Sequence, residues 1–293
     1  MVDRYKILGK KDLEAASKPK SQFSSKRDRG TALIIAGDDR FHGAAVLAAL
    51  ASLRIGAGYV KLYVPKSVME PVRRLSANII VEALGDKSIT CNKEILGEVN
   101  SSDAIAIGMG IGRSVMARKS AVRIIQECTS KEKTVTVDAD AIPALKKLGT
   151  DPVLNKNIIA TPHDGEFFRL TGIRLPEKDL DSRAKSAVEC AERLGITLVL
   201  KGHYSIVTDG KRIRVNKARS YALATMGTGD VLSGIITGYA ACGADPFSAA
   251  CAGVYLHSSI GDKLAGKMGN HIIAQDIVDA IPLAIKGFDK SIE

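Results

Sequence analysis

The sequence predicts an α/β fold: a mostly parallel central sheet flanked by helices on both faces, followed by a late β-hairpin and C-terminal helices. Three observations predict it. Short apolar runs without polar alternation recur from residue 31, as strands covered on both faces require. Helical stretches separate those runs, and a regular βα alternation implies parallel strands joined by right-handed crossovers. After Lys201 the alternation stops, and a hairpin signal and three helical stretches replace it.

Taken in order, Thr31–Ala36 is the first strand, and Gly43–Leu53 the helix that returns from it. That helix is the most apolar run of the chain, but it ends at Arg54 and is too short to span a bilayer. Tyr59–Val64, the helix Ser67–Leu75 and the strand Asn78–Val81 form the next unit. Ala104–Ile107 precedes a glycine-rich loop and the helix Ser114–Cys128. Thr134–Val137 leads to the helix Ala141–Leu148, Asn157–Ala160 to the helix Gly165–Leu170, and the helix Asp181–Leu194 to the strand Thr197–Leu200. Tyr204–Thr208 and Lys211–Val215 flank Asp209-Gly210, a two-residue turn of the kind that closes a hairpin. One helix follows Gly229. A second starts at Asp245-Pro246, an N-cap followed by Pro at the first helical position, and a third runs from about Gln275 to Lys286. No Pro/Ser-rich linker divides residues 30 to 290, so residues 1–29 read as an N-terminal arm and 30–293 as a single domain.

The chain of 293 residues carries a net charge of +10, which fits anionic ligands such as nucleotides and equally nucleic acid. The basic residues are scattered, and their one cluster, Lys18 to Arg29, reads as a solvated arm rather than a nucleic-acid surface. The five cysteines, at 91, 128, 190, 242 and 251, form no CxxC pair, which argues for reduced core thiols and a cytoplasmic protein. Residues 1–20 show no signal-peptide apolar region, and no membrane association is expected.

Familiar phosphate loops are disfavoured. Gly37 to Gly43 is one residue too long for a P-loop and has no Lys. The glycine sets at Gly108–Gly112 and Gly227–Gly229 place Arg113 and Leu232 where a dinucleotide fingerprint needs its last Gly. The segment Gly227-Thr228-Gly229-Asp230 is different, because small residues there open an apolar helix. Its unpaired first-turn N–H groups and the helix dipole would suit a transferring phosphoryl group, with Asp230 accepting a proton from an attacking hydroxyl. The alternative is a glycine turn capped by its own Asp. Five polar clusters fall at predicted strand ends: Gly37-Asp38, Gly108–Gly112, Asp138-Asp140, His163 and Lys201. Parallel strands bring such ends to one edge, the position of an α/β ligand crevice.

In this order and spacing the motifs resemble the ADP/ATP-dependent NAD(P)H-hydrate dehydratases, a branch of the ribokinase-like superfamily. The resemblance covers roughly residues 28 to 288. It rests on Ala36-Gly37 with Gly43-Ala44, Arg54-Ile55-Gly56-Ala57-Gly58, Gly108-Met109-Gly110-Ile111-Gly112 and Val137-Asp138-Ala139-Asp140-Ala141. It continues through Thr161-Pro162-His163-Asp164-Gly165-Glu166, Lys201-Gly202, Gly227 to Gly234 and Gly253-Val254-Tyr255-Leu256-His257. Departures from the family pattern fall at Ser25 to Gly30, Met109, Asp164, His203 to Ser205 and Met226.

The resemblance implies a lyase that repairs hydrated NADH or NADPH, phosphorylating the ring hydroxyl with ADP or ATP and then losing phosphate. It implies Asp230 as the base. Ala44, Gly110, His163 and Asp230 would contact the hydrated dinucleotide, and Lys201, Gly202, His203, Tyr204, Ser205, Thr228 and Gly229 the adenine nucleotide. Mg²⁺ is expected to neutralise the phosphates, with ligands unassigned and Asp138 and Asp140 as neighbours of the metal and phosphates. Many relatives carry a fused N-terminal epimerase domain, for which the stretch before the first strand is too short, so a separate epimerase is expected. Relatives commonly assemble as homo-oligomers, and the helices Val231–Ala241 and Phe247–Leu256 could pack internally or between subunits. The alternative function is a ribokinase-like kinase for a vitamin precursor or sugar, with the same Asp230 chemistry and a stable phosphorylated product.

Overall fold

The computed structural model describes residues 4–149, 155–217, 221–289 and 291–292. Its elements, in chain order, are α1 (Lys10–Ala16), β1 (Lys20–Ser21), β2 (Thr31–Ile35), α2 (His42–Ile55), β3 (Tyr59–Val64), α3 (Lys66–Arg73), β4 (Ile80–Ala83) and α4 (Lys93–Ser101). There follow β5 (Ala104–Ile107), α5 (Val115–Ser130), β6 (Thr134–Val137), α6 (Ile142–Leu148), β7 (Ile158–Ala160), α7 (Asp164–Thr171), α8 (Leu180–Leu194) and β8 (Thr197–Leu200). The chain ends with β9 (Tyr204–Thr208), β10 (Ile213–Lys217), α9 (Thr228–Ala241), α10 (Pro246–Met268), α11 (Ala274–Ile285) and β11 (Ser291–Ile292).

Nine strands form one sheet in the order β10-β9-β8-β7-β6-β5-β2-β3-β4. All pairings from β4 to β8 are parallel, and β9 and β10 add on antiparallel. The period of two along each strand sorts side chains to the two faces. On β2, Ala32 and Ile34 enter a core beneath α2, α9, α10 and α11, while Leu33 and Ile35 enter a second core beneath α4 to α8. Helices therefore cover both faces, as expected. The apolar helices α9 and α10 pack within this chain: α9 lies against α2 and the strands β5 and β6, and α10 against α1 and α11.

The hairpin departs from expectation. Thr208 pairs with Ile213, so the connection holds four residues, Asp209 to Arg212, and the second strand begins two residues late. The Asp209 carboxylate causes this by accepting from the Lys211 and Arg212 backbone N–H groups and pairing with the Arg212 side chain at 2.7 Å. The edge strand β4 is likewise shifted two residues toward the C-terminus of the expected Asn78–Val81. Two helices, α1 and α4, were not anticipated. The early part of the arm is docked, with Leu8, Leu13 and Ala16 buried and Ile7 bridged to Val215. The basic stretch from Lys18 to Arg29 is half-buried to exposed.

Candidate active site

Strand order reverses between β2 and β5: the chain moves outward through β3 and β4, then returns to add β5 on the other side of β2. Crossovers leave in opposite directions there, and the crevice opens beyond the strands' carboxyl ends. Two loops meet at that point, where the Gly37 N–H donates to the Met109 carbonyl at 2.8 Å. Gly110 has φ of +65°, and a Cβ on it would lie 2.6 Å from the Phe41 Cβ. The loop thus lies flat against the start of α2, with the same Cβ position 3.4 Å from the Ala44 Cβ. Ala44 and Gly110 are in this way brought together.

The next strand ends run along the sheet edge in order: Asp138 after β6, His163 after β7 and Lys201 after β8. Asp138 is buried. Its Oδ1 accepts from Lys201 Nζ at 2.8 Å and its Oδ2 from Ser233 Oγ at 2.7 Å. Burial alone would raise this carboxyl, but the Lys201 ammonium and the Ser233 hydroxyl overcome it and hold Asp138 below the usual carboxylate range. Lys201 also stands 3.9 Å from the buried Glu166. Burial opposes its charge, and Asp138 and Glu166 together outweigh that, so its proton is held more tightly than usual. Asp140 turns the other way, accepting from the Gly112 N–H at 3.1 Å and from Arg113 Nε at 3.1 Å, and so fastens the glycine loop.

His163 is the N-cap of α7. Its Nδ1 accepts from the Gly165 N–H at 3.0 Å and the Glu166 N–H at 3.4 Å. That places the proton of the neutral ring on Nε2, which lies 3.2 Å from Glu166 Oε1. The capping role and the site position coexist, because the imidazole is half-exposed at the mouth of the crevice.

α9 delivers the remaining group. Gly227 is its N-cap at φ +91°, and no side chain closes the helix end. The first-turn N–H groups of Gly229 and Asp230 therefore face outward without intrahelical acceptors. A Cβ on Gly229 would be 3.6 Å from Lys201 Nζ, so the ammonium stands over the same helix end. Helix register is set by hydroxyls: Ser233 to Asp138, and Thr237 to Thr136 at 2.9 Å. Asp230 lies one turn above Ser233, and no hydrogen bond or ion pair engages its carboxyl among the described residues. Burial and then the Asp138 charge push its pKa up, Lys201 opposes and Glu166 adds, leaving it at about 7.

Beside this cluster lies a cavity of about 800 Å³. Its wall includes Lys201, Gly202, His203, Ser205, Thr228 and Gly229, six of the seven residues expected at the nucleotide, together with His163. Tyr204 packs instead on the core, its ring edge-on to His203 at 4.7 Å. Four residues that sequence reasoning left unassigned belong to the same region. Glu166 and Ser233 hold the charged cluster. Arg183, buried on α8, grips Asp164 through two 2.7 Å bonds and donates to the Lys201 carbonyl at 3.4 Å, which fixes the turn after β8. His257 on α10 is buried in the cavity wall. No group of three or more His, Cys, Asp or Glu side chains suited to a metal occurs among the described residues, and no described helix is long and apolar enough to cross a membrane.

The comparisons with known proteins agree with this geometry. The family model described as NAD(P)H-hydrate dehydratase matches residues 32–283. An ADP-dependent (S)-NAD(P)H-hydrate dehydratase from Cenarchaeum symbiosum is 31% identical over 289 residues, which are 97% of this chain and 98% of that protein. Bifunctional NAD(P)H-hydrate repair enzymes match as well. The chain spans about half their length, 52% of the one from Hyperthermus butylicus, at 35% identity over 95% of this chain. Among solved structures, a ribokinase-like superfamily protein from Enterococcus faecalis superposes with a TM-score of 0.83, at 25% identity, covering 97% of this chain and 96% of that one. The ADP/ATP-dependent NAD(P)H-hydrate dehydratase from Bacillus subtilis, crystallised with ATP and Mg²⁺, gives 0.78 at 26% identity, covering 97% and 99%. The fold is ribokinase-like, as the motifs implied. Matched by that family model over residues 32–283, and 31% identical to the Cenarchaeum symbiosum enzyme over nearly its whole length, the chain belongs to the NAD(P)H-hydrate dehydratase family.

Proposed function

We propose that this chain is a nucleotide-dependent hydro-lyase that returns (S)-hydrated NADH or NADPH to the reduced dinucleotide, with ADP or ATP as phosphoryl donor. One observation carries the reading: an unengaged carboxyl, Asp230, sits at an uncapped helix N-terminus beneath a half-buried ammonium, Lys201, beside a nucleotide-sized cavity. Asp230 accepts the proton of the ring hydroxyl, whose oxygen attacks the terminal phosphorus of the nucleotide. The bridging P–O bond breaks, and the Gly229 and Asp230 N–H groups and Lys201 stabilise the charge on the transferring oxygens. Loss of that phosphate, with a proton from the neighbouring ring carbon, restores the double bond. Ala44, Gly110 and His163 hold the hydrated dinucleotide along the strand ends, and the cavity takes the adenine nucleotide.

Mg²⁺ fits as a partner of the nucleotide rather than a resident ion. The carboxylates of Asp138 and Asp140 are already engaged, and Mg²⁺ ordinarily takes phosphate and water oxygens with few protein ligands. It would neutralise phosphate charge during transfer. The same reading includes a cytoplasmic location and homo-oligomeric assembly, and the match to bifunctional repair enzymes supports an epimerase activity acting on the same hydrated dinucleotide. The test is direct: purified protein with hydrated NADH, Mg²⁺ and either ADP or ATP should restore NADH absorbance and release inorganic phosphate. Asp230→Asn should lower that rate by about 10²–10⁴-fold. No recovery with either nucleotide overturns the dehydratase reading, and a stable phosphorylated product without phosphate release would point to a kinase.

A further inference from the structure

Asn216 is a polar side chain that the chemistry above leaves without a task, and the fold sets it in the wall of the nucleotide-sized cavity. It lies on β10 and is only 8% exposed. Alternation along the strand fixes its direction. Val215 enters the core beneath α4 to α8, so Arg214 and Asn216 turn to the opposite face, where Arg214 stands 5.8 Å from the Phe247 ring of α10. The register partner of Asn216, Ser205 on β9, shares that face and lines the same cavity. The Ser205 hydroxyl is engaged in its own turn, donating to the Gly202 carbonyl at 3.2 Å. No hydrogen bond engages the Asn216 amide among the described residues, and neither of its polar atoms is among those sealed from solvent. A largely buried side chain therefore keeps both a donor and an acceptor open.

The cavity is polarised along its length. At one end Lys201 and the start of α9 gather an ammonium and backbone N–H donors, which suit phosphate oxygens. Asn216 lies two strands further along the sheet edge than the strand that ends at Lys201, roughly 10 Å away at the usual strand spacing. A ribose with its 5′ phosphate spans such a separation. At this end Asn216 and Ser258 divide the cavity from an outer groove lined by Ser259, Asp262 and Lys263. Val254 stands one turn before Ser258 on α10, and Leu223 lies against the same helix, where a Cβ on Gly261 would be 2.6 Å from its Cγ. The open amide is thus set among apolar side chains, away from the phosphate-binding end.

We propose that Asn216 reads the base of the bound nucleotide: its amide carbonyl accepts from the 6-amino group of adenine while its NH₂ donates to the adjacent ring nitrogen. The proposal rests on the cavity being the nucleotide site. An Asn amide matches adenine in this way because it offers one acceptor beside one donor, and adenine presents one donor beside one acceptor. Solvent reaches the amide as it stands, and a nucleotide in the cavity excludes that solvent. A nucleotide without the 6-amino group then leaves the carbonyl unpaired in a closed site, which weakens it relative to its adenine counterpart. The phosphate end makes no such choice, since its donors meet every nucleotide alike.

Titration calorimetry with Mg²⁺ compares ADP and ATP with purine riboside 5′-diphosphate and 5′-triphosphate, which keep the ring nitrogens and lack only the 6-amino group. The proteins are the wild type, Asn216→Leu and Asn216→Asp, and hydrated-NADH turnover by the wild type with ADP or ATP runs alongside. The wild type should bind the adenine nucleotide about 10-fold more tightly than its analogue. Asn216→Leu, similar in size and without polar atoms, should weaken the adenine nucleotide about 10-fold and bring the ratio near one. Asn216→Asp keeps an acceptor for the amino group and should bind both more weakly while retaining the preference. A wild-type ratio near one, or a preference that Asn216→Leu leaves intact, overturns the proposal. If Asn216→Leu does not fold, Asn216→Ser, too short to reach the base, takes its place with the same expectation. Nucleotide binding without turnover of hydrated NADH would overturn the dehydratase reading and leave Asn216 to be judged by the ratios. Failure of the wild type to bind ADP or ATP overturns both.

Discussion

Two neighbouring carboxyls, Asp230 and Asp138, titrate in opposite directions, and each shift has a measurable consequence. Asp230 is raised to about 7, first by burial and then by Asp138. In its proposed role as base it must be unprotonated, so the rate at saturating nucleotide should rise with pH and level off above about 7, a limb that Asp230→Asn removes. The linkage sign follows: between about 4 and 7 the folded state holds a proton that the unfolded chain has lost, so this group's stabilisation is present at low pH and disappears as pH rises through 7. Asp230→Asn should therefore raise stability at pH 8, on the order of 2 kcal/mol, while it lowers turnover. Thermal melts at pH 5 and pH 8 check it: the gain should shrink at the lower pH. Asp138 runs the other way. Burial is overcome by Lys201 and Ser233, its folded pKa is depressed, and its contribution is present at neutral pH and lost as pH falls below the ordinary Asp range. Asp138→Asn leaves the half-buried Lys201 with Glu166 at 3.9 Å, and should cost about 1–3 kcal/mol. Urea unfolding at pH 7 reads that loss, and a change under 1 kcal/mol would contradict the assigned pairing.

In the proposed mechanism helices α2 and α9 carry the two halves of the reaction, Ala44 at the start of one and Asp230 at the start of the other. Their spacing is set where Gly234 lies on α2: a Cβ there would be 2.8 Å from the Ala48 Cα and the Ala51 Cβ. Ser52 Oγ closes the contact by donating to the Gly234 carbonyl at 2.8 Å. Gly234→Ala must push the helices apart, costing about 1–3 kcal/mol by overpacking. Because both site-bearing helix starts move with it, KM for the hydrated dinucleotide should rise beyond what unfolding explains. A variant with normal kinetics and normal stability would show that the helices are free to slide. This contact was not legible in the sequence, where Gly234 is one small residue in an apolar run. The strand ends were legible, because continuous apolar runs terminate in polar clusters and parallel topology does the rest. Arg183 was hidden, because an Arg in an amphipathic helix reads as solvated, and His257 entered only as the last residue of a motif, with no task of its own. Their places, beside Asp164 and in the cavity wall, are set only by the fold. The hairpin turn was misjudged because Asp-Gly signals a two-residue connection, whereas the Asp209 carboxylate organises a four-residue one.

At the scale of the whole molecule, the boundary between arm and domain is the feature that sequence pattern conveyed least. Residues 1–29 read as an arm because charge alternates with apolar residues and no strand or long helix appears. Yet α1 spans only seven residues, too few to show a period and too few to be stable alone, so it owes its helicity to docking. Leu13 and Ala16 are fully buried against α10, and Asp12 stands 3.5 Å from Arg214 on β10. α10 in turn carries Val254 and His257 in the cavity wall. The segment therefore belongs energetically to the domain, although it touches none of the reacting groups. Leu13→Ala removes a buried side chain and should cost about 2–5 kcal/mol. Two-state urea unfolding should show a lower midpoint at an unchanged slope, since the same surface is still exposed on unfolding. At a temperature where the variant is folded, kcat should be unchanged. A midpoint equal to wild type would mean that α1 is detached in solution and that the domain begins, as the pattern of charge suggested, at residue 30.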